Sequence, residues 1–247
     1  MKRPPLIQLL TFILSAGLAS AQNSTPHASK GELFEGPEFR MAFRNPQDEE
    51  GLPSVLLIGD SISIGYTIDV RKLLAGKANV HRIPGNGQTS GHGVENLPKW
   101  LGDKKWDVIH FNWGLWDVAY RHPDSKVPGK RDKVNGTLST TPEQYRKNLE
   151  AAVAILKQTG AKLIWCATTP IPEGEPGRHA GDAAKYNEIA AEVMKKHGIG
   201  INDLHRHASK RLPEIAIQPG DVHFTDEGSA YLALQVAESI LESIEAK

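Results

Sequence analysis

Apolar runs alternate with helical patterns along most of the chain. Ser54-Val55-Leu56-Leu57-Ile58-Gly59 is a short apolar run closed by Gly, which predicts a buried strand. Residues 61–76 follow with a helical pattern, and 79–84 read as a second strand. Residues 92–103 read as a helix and Trp106 to Trp113 as a third strand. Thr141-Pro142-Glu143-Gln144 starts the next helix, with a Thr cap, Pro at the first position and Gln three residues after the cap. That helix, Pro142–Thr159, carries Leu149, Ala152, Val153 and Leu156 on one face and stops at Gly160. Lys162–Thr168 is the fourth strand. Asp182 is expected to cap a further helix that ends at Gly198. Gly200–Leu204 is a short fifth strand, and 226–245 is the last helix. Strand and helix alternating over five cycles predict an α/β, three-layer α/β/α domain around a five-stranded, mostly parallel sheet. The connection from Asp117 to Thr140 is long, rich in Lys, Arg, Gly and Pro, and is expected to lack regular structure.

The two ends of the pattern differ from its middle. Residues 1–21 have a basic start (Lys2, Arg3), an apolar stretch from Leu6 to Leu18 and a small-x-small site, Ala19-Ser20-Ala21. This is the pattern of a secretory signal peptide, because the stretch is shorter than the ~20 residues a spanning helix needs. An uncleaved anchor is the alternative. Residues 22–52 are polar and aperiodic, so they read as a tail or a strap over the domain, which would occupy 53–247. The expected location is secreted or periplasmic, with no stable membrane insertion after cleavage.

Composition narrows the class. The 247 residues hold 29 Lys plus Arg and 29 Asp plus Glu, with 39 % hydrophobic residues. Cleavage would remove two of the bases, so the remaining chain is about neutral. That balance argues against nucleic-acid binding by bulk electrostatics and against disorder. One Cys excludes an internal disulfide, and Cys166 within Leu163-Ile164-Trp165-Cys166-Ala167 reads as a buried, inert thiol. No His, Cys and Asp cluster has metal spacing; His205 and His207 read as a solvated helix start.

Ligands of parallel sheets bind beyond the carboxyl ends of the strands, so those positions carry the chemistry. After the first strand stands Gly59-Asp60-Ser61-Ile62-Ser63. A Ser at this turn is either a nucleophile with its own N–H as an oxyanion donor, or an ordinary helix cap. After the second strand stands Gly85-Asn86-Gly87-Gln88-Thr89, where glycine lets backbone approach a ligand, or simply turns. After the third stand Asn112-Trp113-Gly114-Leu115-Trp116-Asp117; the Asn112 carboxamide could donate to an oxyanion or bond to a neighbouring loop. Before the last helix stand Asp221-Val222-His223, an acid and a base on one loop.

These blocks in this order resemble the SGNH/GDSL hydrolases, over essentially the whole domain. Gly59-Asp60-Ser61 is similar to their nucleophile block, Gly87 to the glycine whose N–H completes the oxyanion hole, and Gly114-Leu115-Trp116-Asp117 to their Gly-x-Asn-Asp block. Asp221 and His223 resemble the final block, normally Asp-x-x-His. The resemblance implies a flavodoxin-like fold and a serine esterase that needs no metal or organic cofactor. It implies Ser61, His223 and Asp221 as the catalytic set and Ser61, Gly87 and Asn112 around the oxyanion. Trp116 stands where the family has its oxyanion Asn, and Gly220 where it has its acid. Asp60, Trp113, Trp116 and Tyr120 are candidate substrate contacts; the aromatics, with Arg121 and Lys126 nearby, would suit a glycan. The expected substrate is therefore a small-molecule or glycan ester, with acetyl removed from a carbohydrate. A lipid or aryl ester, or an inactive carbohydrate-binding relative, are the alternatives.

Overall fold

A computed structural model of the chain describes residues 39–246. The signal-peptide segment 1–21 and residues 22–38 of the tail lie outside the described residues. The main sheet has five parallel strands, β1 (Ser54–Ile58), β2 (Asn79–Arg82), β3 (Val108–Phe111), β6 (Lys162–Cys166) and β7 (Gly200–Asn202), in the order β2-β1-β3-β6-β7. This is the flavodoxin-like order, and the chain reverses direction across the sheet between β1 and β3. The crevice beyond the ends of those two strands is where a ligand belongs in such a sheet. β1 and β3 are central and buried on both faces, which is why SVLLI and VIHF run apolar without alternation.

The helices α2 (Ser61–Leu73) and α8 (Asp226–Glu245) pack against each other, while α3 (Ser90–Leu101), α4 (Pro142–Lys157) and α5 (Asp182–His197) pack in series. The apolar face read for α4 is the buried one: Leu149, Ala152, Val153 and Leu156 are all fully enclosed. Two short helices, α6 (Leu204–Ser209) and α7 (Leu212–Ile215), bridge β7 to the loop before α8.

Three local expectations are corrected. Asp182 does not cap α5; Gly181 occupies the cap position at φ 88, and Asp182 is the first helical residue, paired with Lys185 at 2.9 Å. The strands stop short of their apolar runs, because Gly59, Asn112-Trp113 and Ala167-Thr168 leave the ladder to build loops. The 117–140 connection holds a two-stranded antiparallel sheet, β4 (Tyr120–Arg121) with β5 (Thr137–Leu138). Two-residue strands carry no readable period, which is why the pattern misses them.

Residues 39–52 are stitched to the β2 edge. A short helix, α1 (Arg40–Phe43), buries Ala42 against Ile64 of α2. Asn45 then exchanges hydrogen bonds with the backbone of Arg82, accepting from its N–H at 2.9 Å and donating to its carbonyl at 3.1 Å.

Candidate active site

β1 delivers the chain to a tight turn at the head of α2. Gly59 is required there, because a Cβ would meet the Ser63 side chain at 2.9 Å. Asp60 is the N-cap: its Oδ1 accepts the Ile62 N–H at 3.0 Å. Ser61 therefore stands at the first helical position, where backbone N–H groups have no intrahelical acceptor and the helix end is electropositive.

The opposing loop brings the base. His223 Nε2 lies 3.0 Å from Ser61 Oγ, across 162 residues of sequence. His223 Nδ1 lies 2.6 Å from Asp221 Oδ1, and the same oxygen accepts the His223 backbone N–H at 2.9 Å. Acid and base two residues apart thus close a small ring in which one carboxylate oxygen serves both N–H groups. Gly220, at φ 76, makes the turn that admits this, and Ile217 N–H bonds to the His223 carbonyl at 3.0 Å to hold the loop. A carboxylate only accepts, so Nδ1 carries the proton and Nε2 is left to accept from Ser61 Oγ–H. Burial pushes the Asp221 carboxyl up, but hydrogen bonds from His223 and the charges of His223 and Arg131 outweigh it and hold it at about 2. Asp221 is a carboxylate throughout the neutral range.

A family model for the GDSL-like Lipase/Acylhydrolase family matches residues 57–231, well over half of the chain. The chain belongs to this family. Membership gives its class, a serine ester hydrolase. Among curated proteins, an acetylxylan esterase from Xylanibacter ruminicola is 25 % identical over 229 residues, covering 79 % of this chain and 44 % of that protein. The chain thus spans less than half the length of that relative. Among solved structures, an acetyl xylan esterase superposes with a TM-score of 0.61 at 20 % identity, covering 76 % of this chain and 99 % of the other. A lipase/acylhydrolase from Enterococcus faecalis gives 0.61 at 22 % identity, covering 77 % and 96 %. An acetylxylan esterase from Geobacillus stearothermophilus gives 0.59 at 17 % identity, covering 79 % and 95 %. These likenesses establish a shared fold.

Against that family pattern the oxyanion side of this GDSL member differs from expectation. The Asn112 amide is already engaged: its nitrogen donates to the Cys166 carbonyl at 2.7 Å and to Thr168 Oγ1 at 3.1 Å, so both hydrogens tie β3 to the end of β6. The Gly87 N–H is engaged as well, donating to the Gly59 carbonyl at 2.9 Å. Gly87 is glycine for a steric reason, since a Cβ would meet Gly59 O at 2.8 Å. The loop after β2 is thereby pressed onto the Ser61 turn.

Of the four candidate substrate contacts, Asp60, Trp113 and Trp116 are buried. Trp113 is fully buried, its ring covering Gly93 and its indole N–H donating to Gly87 O at 3.2 Å. Trp116 is 8 % exposed and roofed by the Arg121 guanidinium at 4.8 Å. Asp60 is 2 % exposed; one oxygen caps α2, and the other is enclosed without a hydrogen-bond partner among the described residues. Burial raises its pKa, against the Ile62 hydrogen bond and the charges of His223, Arg178 and Arg82. Tyr120 is part-exposed on the hairpin, edge-on to His179 at 5.2 Å. Asp117, the acid of the third block, is buried and accepts from the Ser90 N–H at 3.0 Å and its hydroxyl at 2.6 Å, locking α3 to the loop after β3.

The space beside Ser61 and His223 is a groove of about 550 Å³ between α2 and α8. Its apolar lining includes Phe39, Ile68, Ile217 and Phe224, and Asp69, Lys72, Asp226 and Glu227 are its charged groups besides His223. The sequence pattern missed two further features. Arg82 lies beneath the Ser61 turn, and Glu175 sits fully buried between Arg131 (2.7 Å) and Arg178 (2.8 Å). Arg82 had one readable signal, a cation at the end of a predicted strand; the Glu175 pairing joins loops with no local signature. Among the described residues no group of three or more His, Cys, Asp or Glu is arranged to hold a metal ion.

Proposed function

We propose that this chain is an exported serine esterase that removes a short acyl group, acetyl, from a carbohydrate. The observation that carries the reading is the line Ser61 Oγ, His223 Nε2, Asp221 Oδ1, with gaps of 3.0 Å and 2.6 Å. Ser61 Oγ attacks the ester carbonyl while His223 Nε2 takes its proton. Asp221 holds the imidazole in the accepting tautomer and stabilises the imidazolium. The tetrahedral oxyanion draws on the Ser61 N–H at the electropositive end of α2. As the C–O bond to the alcohol breaks, His223 returns the proton to the leaving oxygen, and an acyl-Ser61 ester remains. Water then attacks it, giving its proton to His223, and the carboxylic acid leaves as Ser61 recovers its hydrogen.

Export rests on the signal-peptide pattern of residues 1–21. The carbohydrate rests on the acetylxylan esterase relative. The apolar groove lining favours a second reading, a lipid or aryl ester bound along α2 and α8. Fluorophosphonate labelling of the purified protein tests the nucleophile: wild type is expected to be labelled and Ser61→Ala not. Equal labelling of both would end the proposal. A chain-length series of p-nitrophenyl esters beside acetylated xylan separates the substrates; activity rising from acetyl to octanoyl, with no acetate released from the glycan, favours the second.

A further inference from the structure

Arg82 closes β2 and is 1 % exposed. Its guanidinium makes no ion pair among the described residues. Instead it donates to four oxygens: Gly85 O at 2.9 Å, Ile83 O at 3.2 Å, Gly59 O at 3.3 Å and Ser63 Oγ at 2.7 Å. Phe43 covers it at 5.1 Å. A buried, unpaired cation is costly, and an apolar side chain would end this strand at lower cost. The charge is therefore unexplained by packing.

One of these hydrogen bonds leads to the peptide at Ser61. Ser63 Oγ, which accepts from Arg82, donates to the Asp60 carbonyl at 2.9 Å. The Asp60 carbonyl and the Ser61 N–H belong to the same peptide unit. Gly59 O, which also accepts from Arg82, is the oxygen on which Gly87 N–H rests. We propose that Arg82 is a positioning residue for ester hydrolysis, acting through Ser63 to fix and polarise the Asp60–Ser61 peptide whose N–H meets the developing oxyanion. Hydrogen bonds in a chain polarise one another, so a cation at the far end strengthens the last donor. The charge itself lies in a low-dielectric region under the turn, where it favours negative charge at the reacting oxygen. Burial lowers the guanidinium pKa to about 9, which leaves it cationic at neutral pH. The role gains weight because Asn112 and Gly87 have their donors engaged elsewhere.

The inference rests on Ser61 as nucleophile, so labelling of wild type and Ser61→Ala by a fluorophosphonate comes first; failure there removes the esterase reading itself. With that established, Ser63→Ala, Arg82→Lys and Arg82→Met are compared by kcat and KM on p-nitrophenyl acetate. Affinity for a phenylboronic acid, which forms a tetrahedral anion on a serine oxygen, is measured beside them. Ser63→Ala is expected to lower kcat about tenfold, a fraction of the ~10²–10³ lost with a direct oxyanion donor, at nearly unchanged KM. Boronate affinity falls by the same factor. Arg82→Lys, which keeps the charge, lies between wild type and Arg82→Met. If Arg82→Met fails to fold, Ser63→Ala, which loses one hydroxyl, decides. A kcat for Ser63→Ala within twofold of wild type, an effect confined to KM, or lost kcat with unchanged boronate affinity would each overturn the proposal.

Discussion

Asp221→Asn separates the catalytic from the structural value of one oxygen. In the wild type, Asp221 Oδ1 receives the ring Nδ1–H and the backbone N–H of His223. An asparagine of the same shape keeps an acceptor for the backbone, but it can also turn its NH₂ toward the ring. The imidazole then places its proton on Nε2 and no longer accepts from Ser61 Oγ. In a triad that depends on its acid, the same change costs about 10⁴ in rate, or about 5.5 kcal/mol of transition-state stabilisation. The structural cost is smaller. Asp221 sits at about 2 against an ordinary 3.8, which corresponds to roughly 2 kcal/mol and, discounted for its partial exposure, to about 1 kcal/mol. Because the folded value is the lower one, that stability is present above pH ~4 and is lost as pH falls toward 2. The expected result is kcat/KM on p-nitrophenyl acetate down by about 10⁴ with a melting temperature shifted by only a few degrees. The acid limb of the stability profile between pH 4 and 2 flattens. Activity within tenfold of wild type would refute Asp221 as the orienting acid. A collapse of stability parallel to the loss of rate would show that the carboxylate holds the loop rather than the proton.

Gly87→Ala forces a methyl to 2.8 Å from Gly59 O, backbone against backbone, so about 1–3 kcal/mol of stability should go and esterase activity with it, read by urea titration and assay. Trp113→Ala should cost about 3–5 kcal/mol in urea unfolding while leaving KM for small esters nearly constant, because the ring fills the core beneath Gly87 and Gly93. Burial pushes Asp117 up to about 6 despite the hydrogen bonds from Ser90 and Thr140, and here the folded value is the higher one. Wild-type stability should therefore decline as pH rises from about 4 to 6, and Asp117→Asn, which has no proton to lose, should remove that slope.

The strands and helices along the chain, the helix faces and the catalytic loop positions are legible because each rests on a local rule. Period 2 or 3.6, a Thr-Pro start and a Gly stop identify elements without their neighbours, and α4 obeys all of them. Ser61 and His223 stand out because a parallel sheet places its strand ends on one edge. What failed did so where two distant segments compete for the same hydrogen. Asn112 has the right chemistry for an oxyanion donor, but the carbonyl of Cys166 and the hydroxyl of Thr168 claim its amide. Trp113 and Trp116 follow a strand end, as substrate contacts do, yet Gly93 makes room for one and Arg121 covers the other.

By itself the sequence determined an α/β domain with a serine, an acid and a histidine at its strand ends, since patterning and turn chemistry act over a few residues. Only the tertiary structure decided that an acid two residues before His223 still reaches its ring, because Gly220 bends the loop to bring it there. It alone placed the Arg82 cation beneath the Ser61 turn, because four oxygens from two segments, 59–63 and 83–85, must converge before a buried guanidinium is tolerated.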